Sequence, residues 1–134
     1  MKIFLICSKA FYCEIEPIKK ALEEMGHEIV LPNSYDNPGI EKQCWENGTH
    51  NEFKAKMFRL SREKIGEIDA VLTLNYDKHG VKNYIGGATF LELYEAFMQN
   101  KKIYLMNDIP QGILFDEIEG FSPIIINGNL NLVK

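Results

Sequence analysis

The chain is poor in the features that mark several protein classes. It has three cysteines, Cys7, Cys13 and Cys44, an odd number with no C-x-x-C pair. Neither a disulfide framework nor a cysteine-held zinc site is expected from them. Its three histidines, His27, His50 and His79, lack metal-ligand spacing, so no metal and no organic cofactor is indicated. Basic residues are outnumbered, 15 Lys and Arg against 19 Asp and Glu, for a net charge of -4. Without a basic stripe to neutralise phosphates, a nucleic-acid polymer is not an expected partner. A small anion remains possible, because a helix N-terminus can hold one locally. No apolar run approaches the roughly 18 residues of a membrane span, so no membrane partner is expected. The apolar segment Met1 to Cys7 is too short for a signal peptide and reads as a first strand, with a cytoplasmic location the expectation. Internal repeats and low-complexity tracts are absent.

What is present suits a packed core. Of 134 residues, 46% are hydrophobic and 25% charged, enough for one domain spanning 1–134. Residues 2 to 7 form a nearly continuous apolar run, as in a central parallel strand buried on both faces. Glu14 to Met25 carries Ile15, Ile18, Leu22 and Met25 at helical spacing, with Gly26 as a stop. His27 to Leu31 reads as a second strand ended by Pro32. Residues 33 to 48 read as a long irregular loop of functional interest. It holds Trp45, the only tryptophan, as a packing residue or a wall against a ligand's ring.

Asn51 to Glu67 is a second helix with Phe53, Met57, Leu60 and Ile65 on one face. Asp69 to Leu74 is the third strand, about Ala88 to Gln99 the third helix, and Lys102 to Met106 the fourth strand. Phe115 to Ile118 is a helical turn and Pro123 to Ile126 a fifth strand. Asn127-Gly128 signals a tight turn, after which Leu130 to Val133 folds back as a hairpin arm or runs on as a tail. The alternation predicts an α/β fold, a single flavodoxin-like (Rossmann-like) three-layer domain with a mostly parallel five-stranded sheet, for which analogy with that fold class gives the order 2-1-3-4-5.

The stretch that organises this chain is Tyr84-Ile85-Gly86-Gly87-Ala88-Thr89-Phe90-Leu91-Glu92. It opens the third helix at the carboxyl edge of the sheet, where such folds bind ligands. Two readings compete on local pattern alone. Thr89-x-x-Glu92 matches a capping box, which would make Glu92 a structural carboxylate. Alternatively, Gly86 and Gly87 let the backbone approach a ligand closely, and the amides of the helix start bind a hydroxyl or phosphate.

The segment from Asp69 to Pro110 resembles the nucleoside 2-deoxyribosyltransferase superfamily, which includes deoxynucleoside 5'-monophosphate N-glycosidases. There an acidic strand start is followed by a Gly-rich loop, a helix reading Glu-Leu-Gly-Tyr-Ala, a basic turn and another strand. Here the helix reads Glu92-Leu93-Tyr94-Glu95-Ala96, and Asn100-Lys101-Lys102-Ile103-Tyr104 supplies the turn and strand. The match covers roughly a third of the chain; the remainder is similar in layout.

This resemblance implies Glu92 as a carboxylate nucleophile that displaces the base at the anomeric carbon and forms a glycosyl-enzyme ester. Water or a second base would resolve it, giving a hydrolase or a transferase acting on a nucleoside or nucleotide. It also implies that a neighbouring subunit completes the site, in a homodimer or higher homo-oligomer. Ser8, Lys9 and Tyr12, after the first strand, are candidate substrate contacts at the same edge, since this loop supplies a tyrosine or phosphate-binding hydroxyls in the resembling enzymes. Asn75 and Lys78 end the third strand as edge polar residues and candidate ligand contacts. Asn83 could hydrogen-bond a base or hydroxyl; Gly86, Gly87 and Thr89 complete the set. Three departures stand out. The family's aspartate before the glycines is absent, with Asn83, Tyr84 and Ile85 nearby. The helix before the third strand reads Ser61-Arg62-Glu63, without a clear aspartate. Tyr94 replaces the family's glycine. The alternatives are a nucleotide- or nucleoside-binding domain without catalysis, and a structural or interaction domain in which Glu92 caps a helix.

Overall fold

A computed structural model describes residues 1–134. Five strands form one sheet: β1 (Lys2–Ile6), β2 (Glu28–Val30), β3 (Ala70–Thr73), β4 (Lys102–Leu105) and β5 (Ile124–Ile125). Their order is 2-1-3-4-5 and every pairing is parallel. The expected topology is therefore the observed one, with a wholly parallel sheet. β1 lies between β2 and β3, in register Ile3 with Ala70 and Ile6 with Thr73.

Strand alternation divides the core in two. Phe4 and Ile6 of β1 join Val71, Ile103 and Leu105 on one face. Helices α3 (His50–Gly66), α4 (Gly87–Met98) and α5 (Phe115–Gly120) cover it through Ile65, Leu93, Ala96 and Ile118. Ile3 and Leu5 join Leu72 and Tyr104 on the other face, covered by α1 (Ile15–Glu24) through Ile15 and Leu22, and by the tail through Val133. Both faces are buried, which is why β1 and β3 read as nearly continuous apolar runs rather than alternating ones.

Three local expectations change. The first loop is a 3-10 helix over Lys9–Glu14, so α1 starts at Ile15 and Pro17 falls in its first turn, where a missing amide costs nothing. The stretch 33 to 48 is only partly irregular, because α2 (Ile40–Glu46) forms inside it and buries Cys44. Trp45 is 63% exposed and stacks on His50 at 3.7 Å, so it neither enters the core nor walls a ligand cavity.

At the C-terminus, Asn127 and Gly128 make the expected turn with φ of 48° and 77°, but no strand returns. β5 is two residues long and offers little ladder to extend. The chain instead makes a 3-10 turn at Leu130–Leu132, and the Tyr104 hydroxyl donates to the Lys134 carbonyl at 2.8 Å.

Candidate active site

A cleft of about 750 Å³ opens at the carboxyl edge of the sheet, within the range of small-molecule sites. Five segments line it: the turn after β1, the connection from β2 into the start of α2, the outer face of α3, the β3–α4 loop and the first turns of α4. Cys7, Ser8, Lys9 and Tyr12 come from the first, Asn33 and Ser34 from the second. Lys54, Met57, Phe58, Arg59 and Ser61 come from α3, and Gly86, Gly87, Ala88, Thr89, Leu91 and Glu92 from α4 and its cap.

The start of α4 is built differently from a capping box. Its N-cap is Gly86, extended at φ -82° and ψ 173°, and no side chain caps it. Thr89 is thus the third helical residue, buried at the cleft wall, and Glu92 lies in the second turn, beyond reach of the free amides. The capping role for Glu92 is overturned by this geometry. The amides of the first turn are left unpaired by side chains and border the cleft. Neither Gly86 nor Gly87 has a positive φ; what they supply is space. A Cβ on Gly87 would meet nothing within 4 Å, and one on Gly86 would press the Tyr84 hydroxyl at 3.2 Å.

Glu92 is held from α3. Ser61 Oγ donates to Glu92 Oε2 at 2.8 Å, and Asn33 Nδ2 donates to Ser61 Oγ at 2.8 Å and to the Met57 carbonyl at 3.2 Å. Burial raises the Glu92 carboxyl to about 7, opposed by the Ser61 hydrogen bond and by the charges of Lys64 and Lys54. A carboxyl at that value exchanges its proton near neutral pH, the usual signature of a group tuned for chemistry. Its neighbours do not compete with it. Burial pushes the Cys7 thiol up to about 12, and Tyr12 is likewise held well above the usual phenol range, first by burial and then by the nearby Cys7 and Glu92. Both stay protonated, so Tyr12 is a hydrogen-bond donor beside the carboxylate and Cys7 an inert wall. Tyr12 is braced edge-on by Tyr35, ring centroids 5.6 Å apart.

A second corner is cationic. Lys78 Nζ donates to Ser8 Oγ at 3.1 Å and lies 4.7 Å from the centroid of the Tyr84 ring, which abuts Gly86. Ser8, Lys78 and the α4 N-terminus are therefore contiguous, with Lys9 on the same wall. Elsewhere the cleft's charges pair among themselves. Glu41 meets Lys54 at 3.3 Å and His50 at 3.4 Å; burial would raise its carboxyl, but these partners bring it below the ordinary value. Arg62 meets Glu95 at 2.6 Å, which removes Glu95 from the site chemistry.

The structure brings Ser8, Lys9, Tyr12, Gly86, Gly87, Thr89 and Glu92 together around the cleft. Asn75 and Asn83 lie outside its lining. Asn75 is fully buried, and its side chain binds the carbonyls of Asn107 and Asp108 and the Asn107 amide, joining the ends of β3 and β4. Asn83 takes a left-handed turn at φ 57°, and its amide is bound by Asp77. Ser61 and Asn33 escaped the sequence reading of the site. Ser61 had a signal: Phe53, Met57, Ser61 and Ile65 recur every four residues, and a hydroxyl interrupts that apolar stripe. Asn33 had none beyond its place in a long loop.

The fold and the site define a flavodoxin-like α/β domain with a half-buried carboxyl in an edge cleft. No protein-family model matches the chain, and no curated protein sequence matches it. Among solved structures the chain is similar to a CMP N-glycosidase of Clostridium botulinum, BcmB. The identity is 20% and the TM-score 0.52, over 95% of this chain and 90% of that one. At this identity the likeness shows the fold.

Proposed function

We propose that this protein cleaves or transfers the N-glycosidic bond of a nucleoside or nucleotide through Glu92. The observation that carries the reading is the carboxyl itself. It is half-buried at the wall of a cleft of small-molecule size, free of any capping duty, and anchored by one hydroxyl on Oε2. The name of the structural neighbour, a CMP N-glycosidase, supports the bond type.

In this reading the ionised Glu92 attacks the anomeric carbon as the bond to the base breaks. The electron pair leaves with the base, and a glycosyl ester remains on Glu92. Attack by water on the anomeric carbon frees the sugar and restores the carboxylate; attack by a second base transfers the sugar. Tyr12, a phenol at neutral pH, donates a hydrogen bond to the carboxylate or to the sugar. Ser8, Lys78 and the open amides of α4 form the anionic-group end of the cleft, which favours a 5'-phosphorylated substrate.

The exposed apolar residues Phe58, Leu91 and Tyr94 line the cleft. They support a second copy of the chain closing the site, as the superfamily resemblance implies. A ligand-binding domain without turnover is the second reading. It is favoured by the lack of an acidic residue before the glycines, where Asn83, Tyr84 and Ile85 stand.

The deciding measurement is chromatography of 2'-deoxynucleosides, ribonucleosides and their 5'-monophosphates after incubation with the protein, with and without a second free base. Free or exchanged base, absent with Glu92→Ala, is the expected result. Saturable binding of a nucleotide with no base released would select the binding domain instead.

A further inference from the structure

The Asn33–Ser61–Glu92 chain has a fixed direction, and that direction has a consequence. The nitrogen of the Asn33 amide is identified by its neighbour: the atom 3.2 Å from the Met57 carbonyl must be a donor, since an amide oxygen there would face another acceptor. Its two hydrogens go to Met57 and to Ser61 Oγ. Ser61 therefore accepts from Asn33, and its single hydrogen is committed to Glu92 Oε2. Asn33 gains little for the fold in return. Its Oδ1 is buried with no hydrogen-bond partner, a state that costs stability. A residue that holds an orphaned acceptor while ordering a site group serves the site.

We propose that Asn33 is a positioning residue: by filling the acceptor side of Ser61 it makes that hydroxyl a dedicated donor to Glu92, and so sets the pH at which Glu92 becomes a carboxylate. Its catalytic meaning rests on Glu92 being the nucleophile. A hydroxyl donor bonds the ionised form more strongly than the neutral one, so it favours ionisation. It acts against the burial that drives the proton on. The other groups facing Glu92 keep fixed charge states or sit further out. Lys54 and Lys64 on α3 add attraction, while Cys7 after β1 and Tyr12 in the 3-10 helix stay protonated. Lys64 is itself tied to the Leu31 carbonyl at 3.1 Å. Ser61 supplies the direct contact.

The test reads Glu92 itself, in protein labelled with carbon-13 at the glutamate carboxyls, the Glu92 resonance being assigned by its loss in Glu92→Gln. Ser61→Ala is expected to raise the Glu92 midpoint by about one to two pH units, the equivalent of a hydrogen bond to a charged group. Ser61→Thr keeps the hydroxyl and returns the midpoint toward wild type. Asn33→Ala frees the Ser61 hydroxyl to turn to water, so it moves the midpoint the same way by less. Combined with Ser61→Ala it adds nothing, because Asn33 acts only through Ser61. An unmoved midpoint in Ser61→Ala, or an Asn33→Ala shift that adds in full, overturns the proposal. The acid limb of kcat/KM should follow the same order across the variants. If no base is released from any substrate, the glycosidase reading fails, while the carboxyl titration still decides the role of Asn33.

Discussion

Two places at the carboxyl edge of the sheet carry polar side chains, and they spend them differently. Between the ends of β3 and β4, Asn75 and Asn107 bind each other's main chains: Asn107 Nδ2 donates to the Asn75 carbonyl at 2.9 Å, and Asn75 Oδ1 accepts from the Asn107 amide at 3.0 Å. With Asn75 also bound to two carbonyls, donor and acceptor sides of its amide are both used, and it is fully buried. Across the cleft, between α3 and α4, the network is open. It ends on a carboxyl with one protein bond, begins on an amide with an orphaned oxygen, and borders an uncapped helix. A closed network stabilises a join. An open one leaves hydrogen-bonding capacity for something that arrives later.

The sharpest way to break that comparison is Glu92→Gln. Loss of a carboxylate nucleophile should lower base release by roughly 10³-fold or more, measured by the same chromatography. The same substitution should stabilise the protein. Because the folded carboxyl is raised to about 7 from 4.5, the folded state binds its proton more tightly than the unfolded one does. The stability this contributes is full below about pH 4.5, declines as pH rises through about 7, and is gone above it. Glu92→Gln removes this dependence and should gain up to about 3 kcal/mol at pH 8 relative to pH 4. Urea titrations of both proteins at the two pH values check it. A capping role would give the opposite sign, a loss of about 1 kcal/mol.

The closed network should answer in the other way. Asn75→Leu removes the partner of two carbonyls and an amide at the join of β3 and β4 and is expected to cost about 2–4 kcal/mol. The KM of whatever folded protein remains should be unchanged. A large KM effect with wild-type stability would reassign Asn75 to the site. The smallest effect is expected at Gly87→Ala. Its φ is ordinary and its Cβ meets no atom, so stability should stay within about 0.5 kcal/mol. The added methyl enters the cleft, and a rise in KM without a change in Tm would mark the surface that a ligand touches.

Much of the frame was legible in the residues. Nearly continuous apolar runs at 2–7 and 69–74, helical spacing between them and turn residues at the joints led to a parallel sheet, because burial on both faces leaves that pattern; its 2-1-3-4-5 order came by analogy with flavodoxin-like folds. Glu92 and the glycines before it stood out for the same reason of place: they open the helix that follows a central strand. The neighbours that give Glu92 its environment were harder to see. Asn33 and Ser61 lie 59 and 31 positions from it, on a loop and a helix whose local patterns predict packing or irregularity. Only the crossing of α3 over α4 makes them partners. Asn75 lies outside the cleft lining for the complementary reason. A polar residue at a strand's end is placed at the edge by the sequence, but which of its neighbours consumes its hydrogen bonds is settled in space.

By itself, then, the sequence determined the periodicities, and with them the layers and the edge where a site would lie. Those depend on side-chain burial averaged along each element, which is a local property of the chain. The tertiary structure decided what Glu92 is: a half-buried carboxyl bonded from α3 instead of a helix cap. Local pattern could not separate the two, because the reach of a carboxylate to an amide or to a hydroxyl depends on where Gly86 starts the helix and on which helix packs beside it.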